Sequence, residues 1–218
     1  MDQQQNSAGP SRTAFITAGI AGTVLIAAAR PAVAAGEPGV AGIAEINALL
    51  HRPARHKQVV AAPRINGGAA VRFAGNSLDA FEHAFGEPAG SLHVAFVFYG
   101  SSVFYAANDD LWGRYHLFDV LDASGDPLPL LTHSPANPFL RAGGERSIEG
   151  LVRRGVTLFV CNNALHEAAR GIAAVQKAAP EVVYADFRRN LIPGATVVPA
   201  GVAALVLAQE AAFTFLAA

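Results

Sequence analysis

Val156–Cys161 (VTLFVC) is an uncharged, largely apolar run, and Asn162–Arg170 (NNALHEAAR) follows it directly. The first stretch has the composition of a strand that is covered on both faces. The second, continued by Ile172 and Val175, has apolar residues at helical spacing. This boundary therefore predicts a strand that turns at once into a helix, a unit that is typical of α/β folds.

The rest of the chain repeats this alternation of apolar runs and helical patterns. Further strands are predicted at Val59–Ala62, His93–Gly100 and Ala195–Pro199, and the turn-rich stretch 121–144 allows a short one at 128–131. Helices are predicted at Val40–Leu50, after a cap at Asn76 or Ser77, from Asp109, at Ser147–Gly155 and at Gly201–Phe215, with Arg188 and Arg189 in a loop. We expect a single three-layer αβα domain with a mostly parallel sheet.

The amino terminus has the organisation of an export signal. Residues 1–11 are polar, and after Arg12 residues 13–29 form an uncharged apolar run. Ala32 and Ala34 then give the A-x-A pattern of a signal-peptidase site. The stretch SRTAFI at 11–16 is similar to the twin-arginine export pattern, with a threonine in place of the second arginine. The alternative is an uncleaved anchor, although the run is slightly short of the ~20 residues that span a bilayer.

Cleavage of this signal defines the organisation of the chain. We expect residues 1–35 to be removed, residues 36–58 to form an N-terminal helix and linker, and residues 59–218 to form the α/β domain. The product is predicted to be periplasmic or otherwise exported, with no stable membrane insertion. Residues 1–35 contain two arginines and one aspartate, so 14 basic and 16 acidic residues remain of 16 and 17. This balance argues against nucleic acid as a partner, since nucleic-acid binding needs clustered Lys and Arg.

Cys161 is the only cysteine in the chain. In an oxidising compartment it has no partner for an internal disulfide, so it is buried, reactive or paired between chains. The first-turn amides of a helix and its dipole favour an anion at this point, and Asn162 and Asn163 supply the nearest amides. The alternative is a buried cysteine that only fills space. The chain has no CxxC pair and no Cys/His set with zinc spacing, so we predict no metal site, no cofactor and no dithiol chemistry.

A second candidate at the same edge of the sheet is the loop Gly100-Ser101-Ser102, which follows a predicted strand. Its amides could hold a small anion, and ordinary turn chemistry is the alternative. No G-x-S-x-G motif is present, which argues against a hydrolase. His166 lies about a turn and a half beyond Cys161, so we expect it to point away from the sulfur and to be exposed.

The carboxyl half of the chain resembles the DsrE/DsrF-like family, also described as DsrEFH-like or YchN-like proteins. Three segments carry the resemblance, namely Ser147–Arg154, Gly155–Ala164 (GVTLFVCNNA) and Val197–Val206 (VVPAGVAALV). It extends from Val59 to Phe215 and is strongest after Ser147. Many relatives have a glycine near Ala212, so this position departs from their pattern.

The resemblance implies a compact α/β subunit that assembles into trimers or hexamers. Several members of the family pass sulfur between proteins as a cysteine persulfide, and their cysteine matches Cys161. The implied function is a sulfur relay or persulfide carrier with a sulfur donor or acceptor protein as its partner. The export signal departs from the small cytoplasmic relay subunits. The alternative is a non-catalytic periplasmic oligomer that binds a small ligand or a partner protein and uses Cys161 only for packing.

Overall fold

The computed structural model describes residues 39–123 and 134–218. The predicted export signal at 1–35 and the short strand at 128–131 lie outside these residues.

Five strands form one sheet in the order β4-β3-β2-β1-β5, and every pairing in it is parallel. The strands are β1 His56–Ala62, β2 Leu92–Phe98, β3 Thr157–Cys161, β4 Ala195–Val198 and β5 Thr214–Ala217. The α-helices are α1 Ile43–Leu50, α2 Ala69–Asp79, α3 Asp109–Tyr115, α4 Leu117–Ala123, α5 Ile148–Arg153, α6 Asn162–Gln176, α7 Pro180–Arg189 and α8 Gly201–Glu210. The predicted three-layer α/β fold is confirmed.

The helices cover both faces of the sheet. Val60, Phe96 and Leu158 pack on the face that carries α2 to α7. Their neighbours Val59 and Phe159 pack on the opposite face, against α1 and α8. Side chains of a strand alternate between the two faces, so strands buried on both sides need the continuous apolar runs that the sequence contains.

The handedness of the crossovers explains how the helices divide between the faces. From β1 to β4 each connection moves one position along the sheet, and these connections carry α2 to α7 on one face. The last connection runs back from β4 at one edge to β5 at the other. A right-handed crossover in this reversed direction must pass over the opposite face, which is where α8 packs.

The predicted closing helix Gly201–Phe215 is wrong in its last turn. The helix ends at Glu210, and Thr214–Ala217 forms β5 beside β1. Ala212 adopts a left-handed conformation with φ of 66°, which ends the helical path and sends the chain back to the sheet. Phe213 is then buried on the α1 and α8 face. The apolar pattern alone could not separate a fourth helical turn from a short strand.

Two further expectations about helices are corrected. Asn76 and Ser77 do not cap a helix but lie inside α2, which begins at Ala69 because Gly68, with φ of 80°, turns the chain. Arg188 and Arg189 lie in the last turn of α7 and not in a loop. The sequence did not mark this helix, because four of its ten residues are charged and interrupt its apolar pattern.

The N-terminal helix packs on the sheet as part of the same core. Ile46 and Leu50 of α1 are buried with Ala204 and Ala208 of α8. The first strand begins at His56, three residues before the predicted Val59. The segment assigned from the sequence to a helix and linker therefore contributes directly to the α/β domain.

Candidate functional site

The carboxyl ends of β3 and β4 lie side by side near one edge of the sheet. The two strands are adjacent, with Cys161 paired to Val198 at their ends. The helix after β3, α6, packs on one face of the sheet, whereas the helix after β4, α8, packs on the other. Adjacent strands whose connections leave towards opposite faces open a crevice between them, and ligands of open α/β sheets bind there. The fold therefore places Cys161 at the position where such a sheet binds its ligand.

Cys161 is both the last residue of β3 and the N-cap of α6. Its Sγ accepts a hydrogen bond from the backbone N–H of Ala164 at 3.4 Å. Ala164 is the third residue of the helix, which is a position from which an N-cap side chain receives its bond. Only 6% of the surface of Cys161 is exposed. An N–H donor and the positive end of a helix dipole stabilise a thiolate more than a thiol.

The N-terminus of α8 also lies against Cys161. A Cβ atom on Gly201, the first residue of α8, would stand 3.2 Å from the Cβ of Cys161 and 2.8 Å from the Cβ of Tyr99. Tyr99 directly follows β2. Ala200, the N-cap of α8, makes no side-chain hydrogen bond to the first turn. Two helices therefore begin at the thiol, and the absence of a side chain on Gly201 allows this close approach.

The two predicted asparagines occupy different environments. Asn162 is buried, with 6% of its surface exposed, and its Oδ1 accepts a hydrogen bond from the hydroxyl of Tyr184 at 2.6 Å. Asn163 is exposed. The backbone N–H bonded to the sulfur belongs to Ala164, one residue beyond this pair. Stabilisation of the sulfur by Asn162 and Asn163 stays a prediction, and Ala164 joins the site.

Side chains of α7 complete the surroundings of Asn162. Arg188 donates a hydrogen bond from Nη1 to the hydroxyl oxygen of Tyr184 at 2.8 Å. The ring of His166 stacks on the ring of Tyr184 with a centroid distance of 3.9 Å and an interplanar angle of 9°. His166 is therefore half-buried, and its predicted exposure is wrong. The sequence pattern does not mark Tyr184 or Arg188, because only the packing of α7 on α6 brings them to Asn162.

The loop Gly100-Ser101-Ser102 follows β2 and contacts the carboxyl end of β1. Gly100 has φ of 61°, and a Cβ atom there would stand 2.5 Å from the carbonyl oxygen of Pro63. Ser102 is fully buried, donates its hydroxyl to the carbonyl of Ala62, and accepts the N–H of Tyr99 at 3.0 Å. These bonds are structural. The side chain of Ser101 is half-buried, and the anion contact expected for this loop stays a prediction.

Two further features are lacking in the described part of the chain. Among the residues that the structure describes, no three His, Cys, Asp or Glu side chains come together to hold a metal ion. No helix within residues 39–123 and 134–218 is long and apolar enough to cross a membrane.

Comparison with known proteins gives little further information. No protein-family model and no curated protein matches this chain. Among solved structures it is similar to MTH1491 from Methanobacterium thermoautotrophicum, a protein of unknown function. The TM-score is 0.37 and the sequence identity 15%, over 75% of this chain and 99% of that chain. This similarity carries no argument about function, and the resemblance to DsrE/DsrF-like proteins stays a prediction.

Replacement of Gly201 by alanine is expected to push the start of α8 away from Tyr99 and Cys161. The new Cβ would collide with the Cβ of Tyr99, which is close to the backbone and cannot rotate away, so we expect a loss of about 2 kcal/mol in the free energy of unfolding. Urea denaturation measures it. Gly171→Ala is the matched control, because a Cβ there would meet no atom within 4 Å. Equal stability of the Gly201→Ala and wild-type proteins would contradict the close approach of α8.

Proposed function

We propose that this protein carries sulfur as a persulfide on Cys161. The observation that carries the proposal is the position of the thiol at the carboxyl end of β3 beside β4, where α6 and α8 both begin. The hydrogen bond from Ala164 to Sγ supports a thiolate, which is the nucleophilic form of cysteine. The matching cysteine in the family that the sequence resembles supports the same chemistry.

The transfer is an exchange between thiols and persulfides. The Cys161 thiolate attacks the outer sulfur of a donor persulfide, so that one S–S bond forms, the donor S–S bond breaks, and the donor leaves as a thiolate. An acceptor thiolate then attacks the outer sulfur on Cys161 and releases the Cys161 thiolate. Each step replaces one S–S bond by another, so neither consumes an oxidant or a reductant. The chain needs only one cysteine for this cycle.

The location, the partners and the assembly of the protein are part of the same proposal. The export signal supports a periplasmic or otherwise exported protein, with a sulfur donor or acceptor protein as partner. Assembly into a homo-oligomer, a trimer or hexamer, is supported by exposed apolar side chains on the face of α1 and α8. Ile43, Val202 and Val206 expose 65%, 61% and 54% of their surfaces there. Apolar side chains that cluster on a surface favour contact with another protein.

Thiol labelling tests the reactivity that the proposal requires. Because Cys161 is the only cysteine, any thiol label reports on it alone. We expect iodoacetamide to modify the native protein at pH 7 roughly tenfold faster than the urea-unfolded protein, since the helix termini stabilise the thiolate. A native rate equal to or below the unfolded rate would refute the proposal.

Mass spectrometry after incubation with a small persulfide tests the transfer itself. The wild-type protein is expected to gain about 32 Da, the mass of one sulfur atom, and a thiol acceptor should remove it. Cys161→Ser should gain nothing. An unchanged gain in Cys161→Ser would place the sulfur elsewhere and contradict the proposal.

The low exposure of Cys161 favours a second candidate function. With 6% of its surface exposed, the cysteine also fits a packing role in a non-catalytic oligomer that binds a small ligand or partner protein. Native mass spectrometry of protein purified from its own compartment distinguishes the two. A bound small molecule that persists in Cys161→Ser supports the binding module, and a sulfur adduct that disappears supports the carrier.

A further inference from the structure

We infer that Tyr184 and Arg188 of α7 are positioning residues for the thiol site, acting on Cys161 through the side chain of Asn162. The inference rests on the proposed function, since it concerns the reactivity of the same sulfur. It assigns a role to α7, which contains none of the residues that the sequence marks as functional.

The direction of the hydrogen bonds between these residues is determined by their chemistry. A guanidinium group can only donate, so Arg188 must give its N–H to the hydroxyl oxygen of Tyr184. The Tyr184 hydroxyl then directs its own hydrogen to Oδ1 of Asn162, at 2.6 Å. This bond fixes which end of the Asn162 amide faces α7, and the NH₂ end takes the other side. One rotamer and one amide orientation are thereby selected at the first residue of α6.

Two neighbouring side chains contact the ring of Tyr184. The ring of His166 stacks on it at 3.9 Å, and the guanidinium carbon of Arg188 lies 5.7 Å from the ring centroid. Removal of the hydroxyl alone would leave these ring contacts in place. A Tyr184→Phe variant therefore tests the two hydrogen bonds of the hydroxyl, the one it receives from Arg188 and the one it gives to Asn162.

The position of Asn162 makes its orientation relevant to the sulfur. It is joined to Cys161 through one peptide bond, and both residues are 6% exposed, so water has little access to replace a lost contact. The titratable or charged groups of the surrounding elements are Tyr99 after β2, His166, Glu167 and Arg170 on α6, and Glu181, Tyr184, Asp186, Arg188 and Arg189 on α7. The first turn of α8 has none. Arg188 is the cation that hydrogen-bonds into the Asn162 cluster, through the hydroxyl of Tyr184.

The experiment compares two tyrosine hydroxyls, each of which forms a hydrogen bond between α7 and another helix. Tyr184→Phe removes the bond to Asn162, whereas Tyr115→Phe removes a 2.6 Å bond from α3 to Asp186. Iodoacetamide labelling of Cys161 is measured from pH 5 to pH 10 in wild type and both variants. Tyr184→Phe is expected to slow labelling at pH 7 about fivefold and to move the rate profile to higher pH, as for one lost hydrogen bond. Tyr115→Phe should keep the wild-type profile.

Arg188→Gln and NMR spectroscopy extend the test. The Gln variant keeps a donor but removes the charge, and it should slow labelling in the same direction. The side-chain NH₂ resonances of Asn162 should shift in Tyr184→Phe and stay unchanged in Tyr115→Phe.

The possible outcomes separate this inference from the proposed function. If wild-type Cys161 is labelled no faster than the unfolded chain, the proposed function fails and the inference fails with it. If wild type is reactive and Tyr184→Phe has the same profile, the inference alone is overturned. Equal slowing in Tyr184→Phe and Tyr115→Phe also overturns it, because a general loosening of α7 would then explain both.

Discussion

The Gly150→Ala protein is expected to be about 3 kcal/mol less stable than wild type, a large fraction of the 5–15 kcal/mol that stabilises a typical domain. Gly150 lies inside α5 and is buried against the turn that precedes this helix. A Cβ atom there would collide with the carbonyl oxygen of Gly144 and stand 2.6 Å from the carbonyl carbon of Glu145. The hydroxyl of Ser147 donates to the Gly144 carbonyl at 2.6 Å and holds this turn in place. The obstacle is therefore backbone, which cannot rotate away.

Gly171→Ala is the matched control for this effect. The residue lies within α6, is exposed, and a Cβ atom there would meet nothing within 4 Å. Alanine has the higher helix propensity, so this variant should be more stable by about 1 kcal/mol. Urea unfolding of the three proteins measures both changes. A Gly150→Ala protein within 1 kcal/mol of wild type would mean that the turn does not pack on α5 as described.

Acidification from pH 6.5 to pH 4 is expected to cost about 3 kcal/mol through one side chain, His93. His93 is buried, with 3% of its surface exposed, and its Nε2 lies 2.9 Å from Oγ1 of Thr157. Its Nδ1 has no hydrogen-bond partner among the residues that the structure describes. Burial, and then the positive charges of Arg52 and Lys57, lower the pKa of His93 from 6.5 to about 4.

The sign of this effect follows from proton binding. The unfolded chain protonates His93 near pH 6.5, whereas the folded chain keeps it neutral until about pH 4. Below pH 6.5 the unfolded state therefore binds the extra proton, and stability falls until the folded state binds it too. The contribution is complete above pH 6.5. Hydrogen bonds to neighbouring groups help to hold the pKa values of Asp79 and Asp186 below 3.8. The contributions of these two carboxylates to stability are therefore lost in more acidic solution than the contribution of His93.

His93→Gln tests the assignment, because glutamine is polar and does not titrate in this range. The variant is expected to be less stable at pH 7 but to lose about 3 kcal/mol less than wild type between pH 6.5 and pH 4. His51→Gln, at an exposed histidine, is the control and should retain the wild-type slope. Urea midpoints at half-unit pH intervals measure these slopes. Equal slopes in all three proteins would show that His93 is not the group responsible.

Much of the fold could be predicted because local composition reports burial. The runs at Val59–Ala62, His93–Gly100 and Val156–Cys161 are apolar on both faces, and only a sheet covered on both sides requires this. Ser147 caps α5 as its residue type predicts, and its hydroxyl accepts the N–H of Gly150. Such signals act within a few residues, so the sequence contains them.

The site could be predicted only at its first residue. Cys161 is marked by its place between an apolar run and a helical pattern. Gly201 and Tyr184 are 40 and 23 residues away in the chain, and no local pattern relates them to a thiol. The role of His93 could not be predicted from the sequence either, because only its burial beside Thr157 distinguishes it from an exposed histidine.

The sequence by itself determined that this protein has a parallel α/β sheet and that its one cysteine ends a buried strand. Only the tertiary structure decided what surrounds that cysteine. The return of the chain from β4 to β5 places α8 on the opposite face from α6, and this reversal brings Gly201 to the thiol. The physical reason is that strand and helix preferences are local, whereas the surroundings of Cys161 are made by segments that meet only after the sheet has assembled.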